Sequence, residues 1–311
     1  MNVPSELHAD GSACDRSTEP YDELALVLEE LKELNLPLLT VPAVRRETFP
    51  LSDGRVLSGL IWGEGAVEIV LLHGGAQNAH TWDAVALALN RPLLALDLPS
   101  HGHSGPAKDL VHDPASLAAD VAEVIVQAAP SAKAVCSLSL GGLASITLAA
   151  LRPDLVRRLV LVDVTPGLTE KRPPKQVGES PRASTTNSFE KLLARARRLH
   201  PGRPEAALTR SVLHGAMQGA NGSWIWRHER HPRRHPRRSA FAQLWEQLGT
   251  VRAPTMLVRG MRPSSLVDDD DEARLRRQLP EARVEQLHDA GHSAASEQPI
   301  ALAALLESFI Y

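Results

Sequence analysis

The stretch from Val135 to Gly142, VCSLSLGG, leaves the chain little freedom. Ala134 to Cys136 continue an apolar run suited to a buried strand, and Leu140 to Leu151, LGGLASITLAAL, suit a buried helix. Only a tight turn fits between them, which puts Ser139 at the turn. Gly141 and Gly142 let strand and helix approach closely and let the backbone take crowded angles. Such a turn pushes the serine oxygen outward beside a helix N-terminus, whose free N–H groups and positive dipole can hold a developing oxyanion. Read alone, the stretch also fits a plain strand and helix closed by small residues.

With 311 residues, 43% hydrophobic and 23% charged, the chain can bury one large α/β core with an inserted piece. A net charge of −3 gives no global basic field, so nucleic acid is not an expected partner. Cys14 falls in a polar N-terminal tail and Cys136 in the buried strand, so no disulfide framework is expected and Cys136 reads as a small core residue. No Cys/His spacing suggests zinc and no phosphate loop appears, so no metal and no cofactor are expected. No apolar run approaches membrane-spanning length, which leads us to expect a soluble, cytoplasmic protein with no membrane partner. Oligomeric state is not legible.

Along the chain, Met1 to Pro20 is polar and aperiodic and reads as a disordered tail. Tyr21 to Leu34 places Leu24, Leu26, Val27, Leu28, Leu31 and Leu34 largely on one helical face, and Pro37 stops the pattern. This helix is expected to pack on the domain, with a partner-binding role as the alternative. Val44 to Trp62 reads as two strands joined at Ser52-Asp53-Gly54. Further buried runs fall at Glu68 to Leu72, Pro92 to Leu96, Arg158 to Val162, Thr255 to Arg259 and Arg283 to Leu287. Helical patterns fall at Ser116 to Ala129, Glu272 to Leu279 and Pro299 to Phe309. Strand and helix alternate from residue 68 to 164, which argues for a parallel sheet wound on both faces. The rhythm breaks after Pro166. Lys171 to Thr186 is polar and proline-bearing, Phe189 to His200 and Pro204 to Met217 read as helices, and SWIWRHERHPRRHPRR carries six arginines from Arg227 to Arg238. We read that run as a solvated loop, with an acidic partner as the functional alternative.

Ser137-Leu138-Ser139-Leu140-Gly141 resembles the nucleophile elbow G-x-S-x-G of the α/β-hydrolase superfamily, with Ser137 in place of the first glycine. His73-Gly74-Gly75 followed by Trp82 resembles the family's H-G-x…W pattern, and Asp97 to Gly105 resembles its D-x-P-G-x-G-x-S loop. Asp289-Ala290-Gly291-His292-Ser293 resembles its catalytic-histidine loop. The resemblance spans residues 45 to 311. It implies an α/β fold: a mostly parallel, doubly wound sheet of about eight strands with an inserted helical cap. The implied organisation is 1–43 as tail and short helix, 44–166 with 239–311 as core, and 167–238 as cap.

The resemblance also implies roles. Ser139 is the nucleophile, His292 the base, and the backbone N–H groups of Gly75 and Leu140 form the oxyanion hole. His73, His101 and His103 are expected to be structural. The acid is open, because where most relatives carry it this chain has Pro263 and Ser264. Asp163, at the end of RLVLVD, and Asp268, first of four aspartates, are the replacements, and Asp163 is preferred. The implied function is a serine hydrolase acting on a carboxylic ester of a small or medium acyl substrate. The alternatives are C–C bond or amide hydrolysis on the same triad, or a receptor-like member that binds a small ligand without turnover.

Overall fold

The computed structural model describes residues 21–34, 42–171, 186, 188–199, 203–219, 221–231, 234 and 236–311. The expected tail, Cys14, Arg233 and most of the polar stretch at 172–186 lie outside the described residues. Chain order is α1 (Ala25–Leu34), β1 (Val44–Pro50), β2 (Val56–Trp62), β3 (Ile69–Leu72), α2 (Asp83–Leu89), β4 (Leu93–Asp97), α3 (Pro114–Ala128), β5 (Ala134–Leu138), α4 (Ser139–Leu151) and β6 (Leu159–Val162). There follow α5 (Gly167–Lys171), α6 (Phe189–Leu199), α7 (Glu205–Gly215), β7 (Ala216–Gln218), β8 (Trp224–Trp226), α8 (Leu244–Thr250), β9 (Thr255–Gly260), α9 (Asp269–Gln278), β10 (Arg283–Leu287), α10 (Ala294–Glu297) and α11 (Pro299–Ile310).

Eight of these strands form one sheet in the order β1-β2-β4-β3-β5-β6-β9-β10. The β1–β2 and β2–β4 pairs are antiparallel, and every pair from β4 to β10 is parallel. Side chains alternate across a strand with period two, so each inner strand feeds both faces. In β3, Val70 and Leu72 join one core with α3, α4 and α8, while Ile69 and Leu71 join the other with α2 and α11. All four are fully buried, which explains why the run EIVLL is apolar without alternation.

Local chemistry sets the element ends. Asp113 caps α3 by accepting from the N–H groups of Ala115 and Ser116, with Pro114 in the first turn, so the helix starts two residues earlier than periodicity indicates. Asp268 and Asp271 form a capping box, which brings Asp269 to Asp271 into α9 instead of leaving them in a loop. Ala216 to Met217 leaves the expected helix and becomes the first strand of a hairpin with Trp224–Trp226. Because β6 and β9 pair directly, everything from Asp163 to Pro254 is inserted between neighbouring strands. Within it α6, α7 and the hairpin tryptophans build a third, smaller apolar cluster with Leu26 of α1. The N-terminal helix thus packs on the body of the protein, with Val27 in the main core and Leu26 in the smaller cluster.

The junction of β5 and α4 is closely packed. A Cβ on Gly141 would meet the His73 carbonyl oxygen at 2.7 Å and the Leu72 Cβ at 2.8 Å, and one on Gly142 would meet Val164 Cγ1 at 2.3 Å. These neighbours lie at the end of β3 and just beyond β3 and β6, which flank β5 and cannot retreat without opening the sheet. We therefore expect Gly141→Val and Gly142→Val each to lose about 3 kcal/mol or more. Thermal melting checks this, and unchanged melting for both variants would contradict the close approach.

Candidate active site

Ser139 begins α4 directly at the end of β5 and takes φ +50°, a left-handed conformation that a serine adopts only when its surroundings impose it. The strain follows from the packing just described, since the chain must reverse from strand to helix within one residue. Gly74 sits against it, where an added Cβ would lie 3.1 Å from the Ser139 Cβ. Gly75, Ser139 and His292 line one cavity of about 380 Å³. Leu140 follows Ser139 in the first turn of α4, where helix geometry leaves backbone N–H groups without an intrahelical acceptor. Ser137, the departure from the elbow pattern, is fully buried in β5, and its hydroxyl meets Ser145 Oγ at 2.7 Å and donates to the Val160 carbonyl at 3.1 Å. The extra oxygen thus has partners of its own, behind the turn.

Asp163 ends β6 with φ +47° and is fully buried. Its Oδ2 lies 2.9 Å from His292 Nδ1 and accepts the Leu266 N–H at 2.9 Å. Its Oδ1 accepts the Gly260 N–H at 3.1 Å and the Ser265 hydroxyl. Asp268 lies elsewhere, capping α9 and paired with Lys171 at a side-chain exposure of 55%. The structure therefore brings Asp163 and not Asp268 to His292. The histidine loop is itself anchored: Glu297 accepts the Gly291 N–H at 2.6 Å, and the Arg262 N–H donates to the Ala290 carbonyl at 2.9 Å. Ser265, Leu266 and Glu297 were not legible as site residues. Ser265 sits two positions beyond Pro263, so the loop that lacks a carboxylate supplies a donor to one.

The other histidines brace the loops. His73 Nδ1 donates to the Gly74 carbonyl at 2.7 Å and Nε2 accepts the Leu98 N–H at 2.9 Å, and burial holds its pKa below the ordinary value. His101 Nε2 accepts the Ala76 N–H at 3.0 Å and so ties the Asp97–Gly105 loop to the loop beside Ser139. Asp97 is buried, accepts the N–H groups of Ala79 and His103, and pairs with Arg46 at 2.7 Å. Gly102 has room for no side chain there, since a Cβ would lie 2.0 Å from Asp97 Oδ1. The arginine run divides in two. Arg230 donates to the carbonyls of Gly102 and Ser104, and Arg227 lies over the Tyr21 ring at 5.5 Å, while Arg234, Arg237 and Arg238 are exposed. Reading the whole run as solvated is thus corrected for its first two described arginines.

A polar cluster joins α1, α2 and α7 at the cavity edge. Among the described residues, His80, Asp83 and His214 offer donor atoms within 4.8 Å of one another. The rings of His80 and His214 stack at 3.5 Å with planes 13° apart, so their in-plane lone pairs run nearly parallel and do not converge on one ion. A proton suits the arrangement better. His80 Nδ1 lies 2.6 Å from Asp83 and its Nε2 2.8 Å from Glu23. Burial opposes a charged ring, but Asp83 and Glu23 outweigh it and push the pKa up to about 9. Burial and the His80 charge keep stacked His214 well below its ordinary value, and its Nδ1 meets the Tyr21 hydroxyl at 2.8 Å.

The model of the alpha/beta hydrolase family matches residues 69–305. The chain belongs to that family. It is 37% identical over 290 residues to esterase Rv0045c of Mycobacterium tuberculosis, covering 90% of this chain and 93% of that protein. The crystal structure of that esterase superposes with a TM-score of 0.81, covering 92% of this chain and 97% of that one. The sn-1-specific diacylglycerol lipase ABHD11 of Danio rerio is 24% identical over 270 residues, covering 80% of each chain. The pimeloyl-[acyl-carrier protein] methyl ester esterase of Nitrosomonas europaea is 39% identical over 101 residues, covering 32% of this chain and 38% of that protein. No helix among the described residues is long and apolar enough to cross a membrane.

The His80 cluster generates a pH prediction. The folded state binds this proton more tightly than the unfolded chain, whose histidine titrates at about 6.5. The stabilisation is therefore complete below that pH and is lost as pH rises through about 9. The melting temperature should fall between pH 6.5 and pH 9, and His80→Gln should flatten that part of the profile. An equal slope in both proteins would show that the proton is held elsewhere.

Proposed function

We propose that this protein is a carboxylic ester hydrolase that works through Ser139, His292 and Asp163, with the inserted segment 167–238 as a cap over the site. The observation that carries the reading is the buried Asp163 carboxylate 2.9 Å from His292 Nδ1, in a cavity lined by both His292 and the strained Ser139. The 37% identity to a protein named as an esterase supports ester cleavage over amide or C–C cleavage. A receptor-like reading rests on the acid missing from its usual loop and on Ser137 in place of the elbow glycine; Asp163 beside His292 and the buried, hydrogen-bonded Ser137 argue against both grounds.

In this mechanism Asp163 accepts a hydrogen bond from the Nδ1–H of His292, which leaves Nε2 free to act as the base. As His292 takes the hydroxyl proton, Ser139 Oγ attacks the acyl carbonyl carbon and the carbonyl oxygen becomes an oxyanion. The N–H groups of Gly75 and Leu140 hold that charge. His292 then returns the proton to the departing alcohol, and the acyl group stays on Ser139. Water, deprotonated by His292, attacks the acyl-enzyme and releases the acid. The other donors on Asp163, from Gly260, Ser265 and Leu266, keep its carboxylate aimed and matched as positive charge forms on the ring.

A screen of p-nitrophenyl esters of increasing acyl length tests activity and cavity size together. Ser139→Ala should lower turnover by more than about a thousandfold with the fold retained, and should abolish labelling by a fluorophosphonate. Asp163→Asn should cost on the order of a thousandfold, because the amide favours the wrong imidazole tautomer, while Asp268→Asn should change turnover little. Loss in Asp268→Asn with wild-type activity in Asp163→Asn would move the acid to the α9 cap, and wild-type activity in both would mean that His292 works without a carboxylate.

A further inference from the structure

The cavity that Ser139 lines has both apolar residues and arginines in its wall. Ala196 and Leu199 of α6 and Ala207 and Val212 of α7 supply the apolar lining. Arg195, Arg203 and Arg210 line the same space, with Glu30 of α1 beside them. Arg210 is neutralised, donating to both Glu33 carboxylate oxygens at 2.7 and 2.6 Å, with Glu30 at 3.9 Å. Arg203 forms no ion pair among the described residues, although it is half-buried. Its neighbouring acids are Glu30 and Glu297, and neighbouring Arg210 repels it. Glu30 neutralises it poorly, since burial and the charge of Asp83 push the Glu30 pKa up to about 7. A guanidinium does not give up its proton, so Arg203 keeps its charge in the cavity wall, with Glu30 and Glu297 near it but neither in ion-pair contact. A buried cation without a partner is costly to the folded protein, and an anion delivered by a ligand removes that cost.

We infer that the ester cleaved at Ser139 carries a second group, an anionic carboxylate or phosphate, that pairs with Arg203 across an apolar segment of the substrate. This rests on the reading of Ser139 as an ester-cleaving nucleophile. Arg203 is then a specificity residue: its contact selects which esters enter, and a planar fork suits both carboxylate and phosphate oxygens.

The test compares matched esters that differ only in the charge. Monomethyl succinate, adipate and suberate are set against methyl butanoate, hexanoate and octanoate, with acid release followed in a pH-stat. Butanoyl glycerol 3-phosphate against monobutyrin places phosphate on the alcohol side and separates the two sources of the anion. Wild-type enzyme should favour at least one anionic series by about tenfold or more in kcat/KM, mostly through KM, as one charge-assisted pair provides. Arg203→Gln should cut that anionic-to-neutral ratio about tenfold, and Arg203→Lys should restore part of it. No anionic preference in any series, or a preference that survives Arg203→Gln, overturns the inference. Failure to cleave every ester would instead sink the reading of Ser139. Calorimetry of monomethyl adipate binding to Ser139→Ala, with and without Arg203→Gln, would still decide the anion contact: a tenfold loss supports it, and equal or absent binding overturns it.

Discussion

One buried carboxylate ties the working end of the sheet together. Asp163 closes β6, receives an N–H from the end of β9 at Gly260, two donors from the loop that follows, and the imidazole of the loop after β10. Three segments distant in sequence are fixed against one another by two oxygen atoms. A charge with no exposure would be prohibitive without partners, and here each oxygen has two. The arrangement also fixes where His292 sits, because its loop is held from one side by Asp163 and from the other by Glu297. Geometry at this level of constraint is what proton transfer over a single hydrogen-bond length requires.

The inserted segment is attached by a different physics. Its own apolar cluster is small, so its position relies on charge and hydrogen bonding along α1 and the residues just before it. Glu23 bridges Arg46 and His80, Tyr21 meets His214 of α7, and Glu33 holds Arg210 of the same helix. Burial leaves these groups little water to compete for them, so Glu23 is held below the ordinary carboxylate range despite the desolvation that opposes it. The same network forms one wall of the cavity. Changing its charges therefore changes both how the segment is seated and what it presents to a ligand.

The sequence was most legible where structure is local. The elbow could be read from eight residues because strand, turn and helix follow one another. Asp163 remained one of two choices, since selecting it depends on which strand end meets a histidine 129 residues away. The β7–β8 hairpin escaped notice because three-residue strands leave no periodicity to detect, and Ala216 to Gln218 continues a helical pattern without interruption. Arg227 and Arg230 look identical in the sequence to the exposed arginines after them. The approach of the Asp97–Gly105 loop, with its carbonyls aimed at Arg230, and of the Tyr21 ring to Arg227 separates the two sets.

Ser139 and Asp163 share a conformational feature that connects fold to chemistry. Both are non-glycine residues with positive φ, at +50° and +47°, and both stand at the same end of paired parallel strands β5 and β6. Each such residue costs on the order of 1 kcal/mol or more, so the core around them must over-determine the backbone. It does so with Leu138 and Val162, the fully buried residues immediately before each, which are paired in register. Glycine would relax the backbone at either position but would remove the hydroxyl or the carboxylate. The strain thus accompanies the polar groups: the turns that force positive φ carry the Ser139 hydroxyl to the cavity and the Asp163 carboxylate to His292.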